Sequence, residues 1–161
     1  QVIDDTTFIG GYESKHMTMI ENISRLSYSM YLNEEAYNAL KQMYDDLYKN
    51  TKKRFLVTSA YKSYDVLNLE ENTSQAGYSE FQLGTSVSLK VNGIKDVEFV
   101  STDVYQWLLE HSYEYGYVLR YPSDKVTITQ KESCNIFRYV GKENALKMHN
   151  QNLCLEELNN Q

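Results

Sequence analysis

The first clear pattern along the chain is a run of apolar residues at helical spacing between residues 33 and 49. These residues recur at intervals of three to four positions, which predicts one buried helix face. The stripe consists of Ala36, Leu40, Met43 and Leu47. Asn33 is a favourable N-terminal cap, and two glutamates follow it in the first turn, where negative charge suits the helix dipole. We therefore predict a helix over 33–49 whose apolar stripe belongs to the core.

A second amphipathic helix is predicted over residues 101–115, with Ser101 as its cap and Gly116 as its C-terminal stop. Its apolar stripe consists of Val104, Trp107, Leu108, His111 and Tyr115. On this stripe His111 is interpreted as a packed or boundary histidine. The tail over 143–158 is also predicted to be helical.

Short apolar or alternating runs predict four strands, at 55–59, 85–91, 117–119 and 137–140. The second run alternates, so that Val87 and Leu89 share one face while Ser88 lies on the other. Together with the helices, these strands predict an α+β fold with a small antiparallel sheet flanked by helices.

The length of 161 residues suits one domain with a genuine core. Residues 1–30 show little periodicity and are predicted to form an N-terminal arm and lead-in, in which 14–25 is either a short helix or irregular. Residues 31–161 are predicted to form a single domain, with a polar loop at 68–77.

Composition removes some classes of function. The net charge of −6 gives no electrostatic support for a nucleic-acid partner. No run of about 18 apolar residues is present, so we predict no transmembrane segment in this chain. The 15 tyrosines suit either packing at the core boundary or a surface for glycan or protein. Cys134 and Cys154 are either free thiols or one disulfide.

The most informative stretch, residues 76–89, reads Ala-Gly-Tyr-Ser-Glu-Phe-Gln-Leu-Gly-Thr-Ser-Val-Ser-Leu. It resembles the zinc-binding signature of the VanY-like D-alanyl-D-alanine carboxypeptidases, approximately P-G-x-S-E-H-Q-x-G-x-A-x-D. The positions that keep this frame are Ser79, Glu80, Gln82, Gly84 and Val87. The His and Asp of that family are zinc ligands, and Phe81 and Ser88 occupy their positions here. A phenyl ring has no lone pair for a metal, and a neutral hydroxyl is a poor substitute for a carboxylate.

Two further motifs extend the resemblance to about residues 33–158. Residues 59–64 read Ser-Ala-Tyr-Lys-Ser-Tyr, similar to the family's S-G-Y-R-S-Y, whose Arg binds the carboxylate of the substrate. Lys62 keeps the charge but lacks the bidentate fork of arginine, and Leu67 stands where the family has a Gln. Residues 120–122 read Arg-Tyr-Pro, as the family does after its second helix.

The family's last motif, E-P-W-H-x-R-Y-V-G, carries its catalytic Glu and its third zinc ligand. Residues 138–141 keep Arg-Tyr-Val-Gly. Counting back without a gap places Ile136 at the His position and Ser133 at the Glu position. A shift of one residue would bring Asn135 and Glu132 there instead, and both alignments lack the His.

The resemblance implies a Hedgehog/DD-peptidase-like fold without a working zinc site. Its degenerate metal positions are Phe81, Ser88 and Ile136, its degenerate catalytic position is Ser133, and no cofactor is expected. The three histidines show no spacing typical of a ligand pair. A replacement site that includes Cys134 is the weaker alternative.

For function, the resemblance implies an inactive carboxypeptidase homologue that serves as a protein-interaction or structural module at the cell envelope. The first alternative is a module that binds a peptidoglycan stem peptide, for which the candidate contacts are Ser59, Tyr61, Lys62, Ser79 and Gln82. The second alternative is an active zinc D,D-carboxypeptidase with non-standard ligands. The family acts outside the cytoplasmic membrane, so an extracytoplasmic protein is expected, either secreted or anchored by a part outside this chain.

A geometric expectation joins three of these segments, namely the loop after the first strand, the start of the central strand and the strand before Arg138. In the family they converge on one cleft, so Phe81, Ser88 and Ile136 should be spatial neighbours. We further expect Phe81 and Ile136 to pack together and to fill the volume that a metal would occupy.

Overall fold

An antiparallel four-stranded sheet forms the centre of the fold in the computed structural model, which describes residues 2–3, 9–69 and 76–161. The strands are β1 (Met17–Met19), β2 (Tyr31–Asn33), β3 (Leu56–Ser59), β4 (Ser86–Lys90), β5 (Tyr117–Tyr121) and β6 (Ser133–Tyr139). The helices are α1 (Glu34–Thr51), α2 (Tyr64–Leu69), α3 (Asp96–Phe99), α4 (Asp103–His111), α5 (Val126–Thr129), α6 (Lys142–Gln151) and α7 (Leu155–Asn159). The strand order in the central sheet is β3-β4-β6-β5, and β1 pairs with β2 in a separate two-stranded sheet. The predicted α+β class and its four sheet strands are confirmed.

The predicted helix at 33–49 is α1, and its cap is the predicted one. Asn33 Oδ1 accepts hydrogen bonds from the backbone N–H groups of Glu35 and Ala36. The helix ends where Lys52 adopts a left-handed conformation with φ of 60°. All four residues of the predicted stripe are fully buried, and Tyr44 joins them. The helix therefore packs one complete face into the main core.

The second predicted helix is shorter than the sequence pattern indicated. It begins at Asp103, and Thr102 rather than Ser101 caps it, through a hydrogen bond from the N–H of Tyr105 to Thr102 Oγ1. Ser101 instead lies in the turn that follows α3, where its N–H donates to Glu98 O. The last turn, Ser112–Tyr115, is a 3₁₀ helix that ends at Gly116.

Gly116 joins this turn to β5, and its backbone conformation explains why a glycine occupies this position. Its φ is +85°, and a Cβ there would lie 2.8 Å from the ring of Tyr139. A side chain at this position would therefore be strained by both the backbone conformation and the close contact.

Residues 9–30 are more regular than their sequence suggested. The strand β1 pairs with β2 in register, and Ile20 and Ile23 contribute to the main core. Arg25 forms a parallel bridge with Val57 at the edge of β3. A three-residue strand is too short for its period to be read from sequence, which is why β1 was missed. The domain boundary at residue 30 stays a prediction, and residues 4–8 of the arm lie outside the described residues.

Two other connections differ from the predictions. The predicted loop at 68–77 begins within α2, and its residues 70–75 lie outside the described part of the chain. The predicted helix at 143–158 is divided into α6 and α7, because Asn152 adopts a left-handed conformation with φ of 49°. Within the described ranges, no helix is both long and apolar enough to cross a membrane.

Candidate functional site: an open cleft on the central sheet

A cleft of about 370 Å³ lies over strands β3, β4 and β6. Ser88 of β4 is the direct register partner of Ile136 on β6, and Ser59 of β3 pairs with Ser88 on its other side. Phe81, from the 3₁₀ turn Glu80–Leu83, lines the same cleft. The three positions where the resemblance predicts metal ligands are therefore spatial neighbours, as expected.

The expectation that apolar side chains fill this space is wrong. Phe81 and Ile136 are only half-buried, and both line the open cleft. Phe81 does not belong to the buried core, because its short 3₁₀ turn directs Glu80, Gln82 and Leu83 inward instead. These positions therefore border an open cavity rather than a packed apolar cluster.

The side chains around the cleft do not fit a zinc ion. Structural and catalytic zinc sites use Cys, His, Asp or Glu ligands. The three expected positions offer a phenyl ring, a hydroxyl and an alkyl group. Among the described residues, no group of three or more such side chains is placed to hold a metal.

The shifted alignment of the last motif does not restore these ligands. Asn135 lines the cleft, but its amide donates a hydrogen bond to the carbonyl of Leu89 at 2.8 Å. Glu132 is exposed and is not part of the cleft lining. Ser133 does line it, and Ser133 Oγ accepts a hydrogen bond from the N–H of Asn135 at 3.3 Å.

Ser79 and Gln82, two of the candidate peptide contacts, are buried away from the cleft lining. Ser79 Oγ caps the 3₁₀ turn by accepting from the N–H of Phe81. Gln82 Nε2 donates to the carbonyls of Gly10 at 2.8 Å and Tyr12 at 2.9 Å. Both side chains therefore position the loop that carries Phe81, since their polar atoms are used inside the protein.

Of the other candidate contacts, only Ser59 lines the cleft. The backbone of Tyr61 and Lys62 ties the following loop to the fold, since their N–H groups donate to the carbonyls of Tyr31 and Phe81. Both side chains are half-buried. Burial, with help from the nearby Glu13 and Tyr12, raises the pKa of Tyr61.

A buried ionic network lies behind the cleft and connects the motifs that carry Glu80, Arg120 and Arg138. Glu80 is 5% exposed, and its Oε1 accepts hydrogen bonds from Arg138 Nη1 and from Ser86 Oγ. Arg120 Nε lies 3.2 Å from the other carboxylate oxygen of Glu80. Burial alone would raise the pKa of Glu80, but Arg138 and then Arg120 outweigh it, so the pKa is lowered.

Arg120 extends this network to the C-terminal helix. Its two terminal nitrogens donate to both carboxylate oxygens of Glu156, at 3.1 and 2.8 Å, in a bidentate pair. Sequence analysis noted Glu80, Arg120 and Arg138 only as motif positions. Their role is structural, because the network joins the Phe81 loop to β5, β6 and α7.

Lys90 and Asp96 are cleft residues that sequence analysis missed. Lys90 Nζ lies 4.0 Å from Asp96 Oδ1, and both side chains line the cleft. The alternation of side chains along β4 places Lys90 on the same face as Ser88, and this pattern could have identified Lys90 as a cleft residue from the sequence.

Cys134 and Cys154 are free thiols in the structure, and burial raises the pKa of each. His111 packs beside Trp107, with ring centroids 4.9 Å apart, as the boundary interpretation predicted.

Comparisons with known proteins point to one family. The VanY family, described as D-alanyl-D-alanine carboxypeptidase, matches residues 66–142. A D-alanyl-D-alanine carboxypeptidase of Enterococcus faecium is 32% identical over 152 residues, which is 89% of this chain and 49% of that protein. The chain thus spans about half the length of this curated relative.

Two solved structures resemble this fold closely. One is the LD-carboxypeptidase LdcB, with a TM-score of 0.88 and 28% identity over 98% of this chain and 84% of that chain. The other is VanYB in complex with D-Ala-D-Ala, with a TM-score of 0.76 and 27% identity over 99% of this chain and 96% of that one.

Proposed function

Because this chain belongs to the VanY family of D-alanyl-D-alanine carboxypeptidases, we propose that it binds a peptidoglycan stem peptide without hydrolysing it. The observation that supports this proposal is the cleft. It has an open volume of about 370 Å³ and walls that are part polar and part apolar, and Phe81, Ser88 and Ile136 stand at the expected metal positions.

Hydrolysis by the mechanism of this family needs groups that the expected positions of this chain do not supply. A zinc carboxypeptidase uses the metal to polarise the scissile carbonyl and to activate a water molecule, and a carboxylate serves as general base. Here Ser133 stands at the base position, and its hydroxyl is a poor base near neutral pH. The replacement of the base together with three ligands is difficult for neighbouring groups to compensate.

The cleft favours peptide binding over a purely structural or protein-interaction role, because an open cleft can admit a peptide whereas a filled one could not. A protein partner remains the second candidate, favoured by two exposed apolar side chains. Leu26, at the edge of the cleft, is 69% exposed, and Tyr28 is 74% exposed. A partner protein would cover these side chains.

The proposed location follows from the proposed ligand. Peptidoglycan lies outside the cytoplasmic membrane, so a protein that binds its stem peptide acts in the cell envelope.

A titration with a synthetic wall-type pentapeptide ending in D-Ala-D-Ala tests the proposal. We expect saturable chemical-shift changes in the amides of β4 and β6, and no released D-alanine with or without added zinc. Ile136→Trp should abolish binding by filling the cleft. Ile128→Trp is the matched control, because Ile128 is 42% exposed and lies outside the cleft lining.

Each contrary outcome has a clear meaning. No binding, or equal binding by the Ile136→Trp variant, would contradict a peptide site in this cleft. Release of D-alanine above a heat-inactivated control, dependent on added zinc, would support the active enzyme with non-standard ligands.

A further inference from the structure

Lys90 places a positive charge in the cleft, two residues along β4 from Ser88. Ser88 and Lys90 are two residues apart on β4 and both line the cleft. Side chains at this spacing share one face of a strand, about 7 Å apart. A lysine so close to the expected metal position disfavours a divalent cation and favours an anion.

We propose that Lys90 binds the terminal carboxylate of the peptide that occupies the cleft. This inference rests on the proposed function and names the group that anchors its ligand. Among the described residues that line the cleft, Lys90 supplies the positive charge and Asp96 the negative charge.

The ion pair between these two residues is loose enough to admit a ligand. Its N–O distance of 4.0 Å is longer than a direct hydrogen bond. The Asp96 side chain is 69% exposed, so water can solvate it when Lys90 turns to another carboxylate. The Lys90 side chain is only 31% exposed, and partial desolvation strengthens its attraction for an anion.

Hydroxyl groups complete the surroundings of an anion. Ser59, Ser88 and Ser133 all line the cleft. Because Ser133 Oγ accepts from the N–H of Asn135, its own O–H group can donate to a ligand. A carboxylate beside Lys90 would therefore meet one ammonium group and nearby hydroxyl donors.

Lys62 is the competing anchor, since the family resemblance implies that a cation at this position contacts the substrate's carboxylate. Lys62 is half-buried but is not among the residues that line the cleft. The geometry therefore favours a carboxylate site that has moved from the loop after β3 to the strand β4.

The test compares two forms of the wall-type pentapeptide, one with a free C-terminal carboxylate and one with a C-terminal amide. Calorimetric titrations would use the unmodified protein and the Lys90→Gln, Lys62→Gln and Lys95→Gln variants. Lys95 is the matched control because it is an exposed lysine close to Asp96 but outside the cleft lining. Circular dichroism would verify that each variant is folded.

We expect the unmodified protein to bind the free acid about tenfold more tightly than the amide, since a charged hydrogen bond contributes that much. Lys90→Gln should weaken binding of the acid by about the same factor and remove the discrimination. The Lys62→Gln and Lys95→Gln variants should still bind the free acid more tightly than the amide.

If Lys90→Gln still prefers the acid, or if Lys62→Gln loses the preference, this inference is overturned while the proposed function stands. If the unmodified protein binds neither form, the proposed function itself fails.

Discussion

Ser88 and Ile136 lie directly opposite each other on β4 and β6, although 48 positions separate them in the sequence. Directly opposed residues in an antiparallel pair have Cβ atoms about 5 Å apart. The strand pairing thus brings the second and third expected ligand positions together, and the Phe81 loop adds the first.

This arrangement predicts that a zinc site can be restored. The triple variant Phe81→His, Ser88→Asp, Ile136→His should hold about one zinc per chain after dialysis, since two His and one carboxylate form a known zinc ligand set. The unmodified protein and each single variant should hold no stoichiometric zinc. Elemental analysis measures this difference, and stoichiometric zinc in the unmodified protein would contradict the assignment of the three positions.

The open cleft changes the expected cost of replacing Phe81. Because this side chain is half-buried and lines a cavity, Phe81→His should lower the free energy of unfolding by less than about 1 kcal/mol. Phe137→His is the comparison, since Phe137 is fully buried on β6. Phe137→His should lower the free energy of unfolding by about 3 kcal/mol or more, because a polar ring enters the core. Urea unfolding curves would measure both, and equal losses would show that Phe81 is a core residue.

The Glu80 network predicts a large effect of a small change. Glu80→Gln keeps the shape of the side chain but leaves Arg138 and Arg120 without their shared buried carboxylate. Removing one partner of a buried ion pair costs about 3–5 kcal/mol. We expect Glu80→Gln to lower the free energy of unfolding by an amount in this range, measured by urea unfolding. Glu114→Gln, at an exposed glutamate, should leave the unfolding midpoint nearly unchanged, and a comparable loss in both variants would contradict the structural role of Glu80.

The same network predicts how stability depends on pH. The pKa of Glu80 is lower in the folded protein than its ordinary value of 4.5, because the attraction of Arg138 and Arg120 outweighs burial. Ionised Glu80 therefore stabilises the folded protein fully above pH 4.5, and this stabilisation is lost as the pH falls through the folded-state pKa. Urea unfolding between pH 7 and pH 3 should show a steeper acid loss for the unmodified protein than for Glu80→Gln. Parallel curves would mean that Glu80 contributes nothing to acid unfolding.

The sequence by itself determined the elements whose contacts are local or periodic. Ala36 and Leu40 predicted the buried face of α1, and the alternation around Val87 predicted β4, because these patterns need only the geometry of one element. The resemblance of the motifs to those of the family also predicted that Phe81, Ser88 and Ile136 would meet.

Only the tertiary structure decided what surrounds the cleft. Whether Phe81 fills or merely lines the space depends on the direction of a short 3₁₀ turn, which no periodic pattern encodes. The burial of Gln82 depends on carbonyls about 70 positions earlier in the chain, at Gly10 and Tyr12. The Glu80 network likewise joins segments that are distant in sequence, since a buried charge must find its partners wherever the fold brings them.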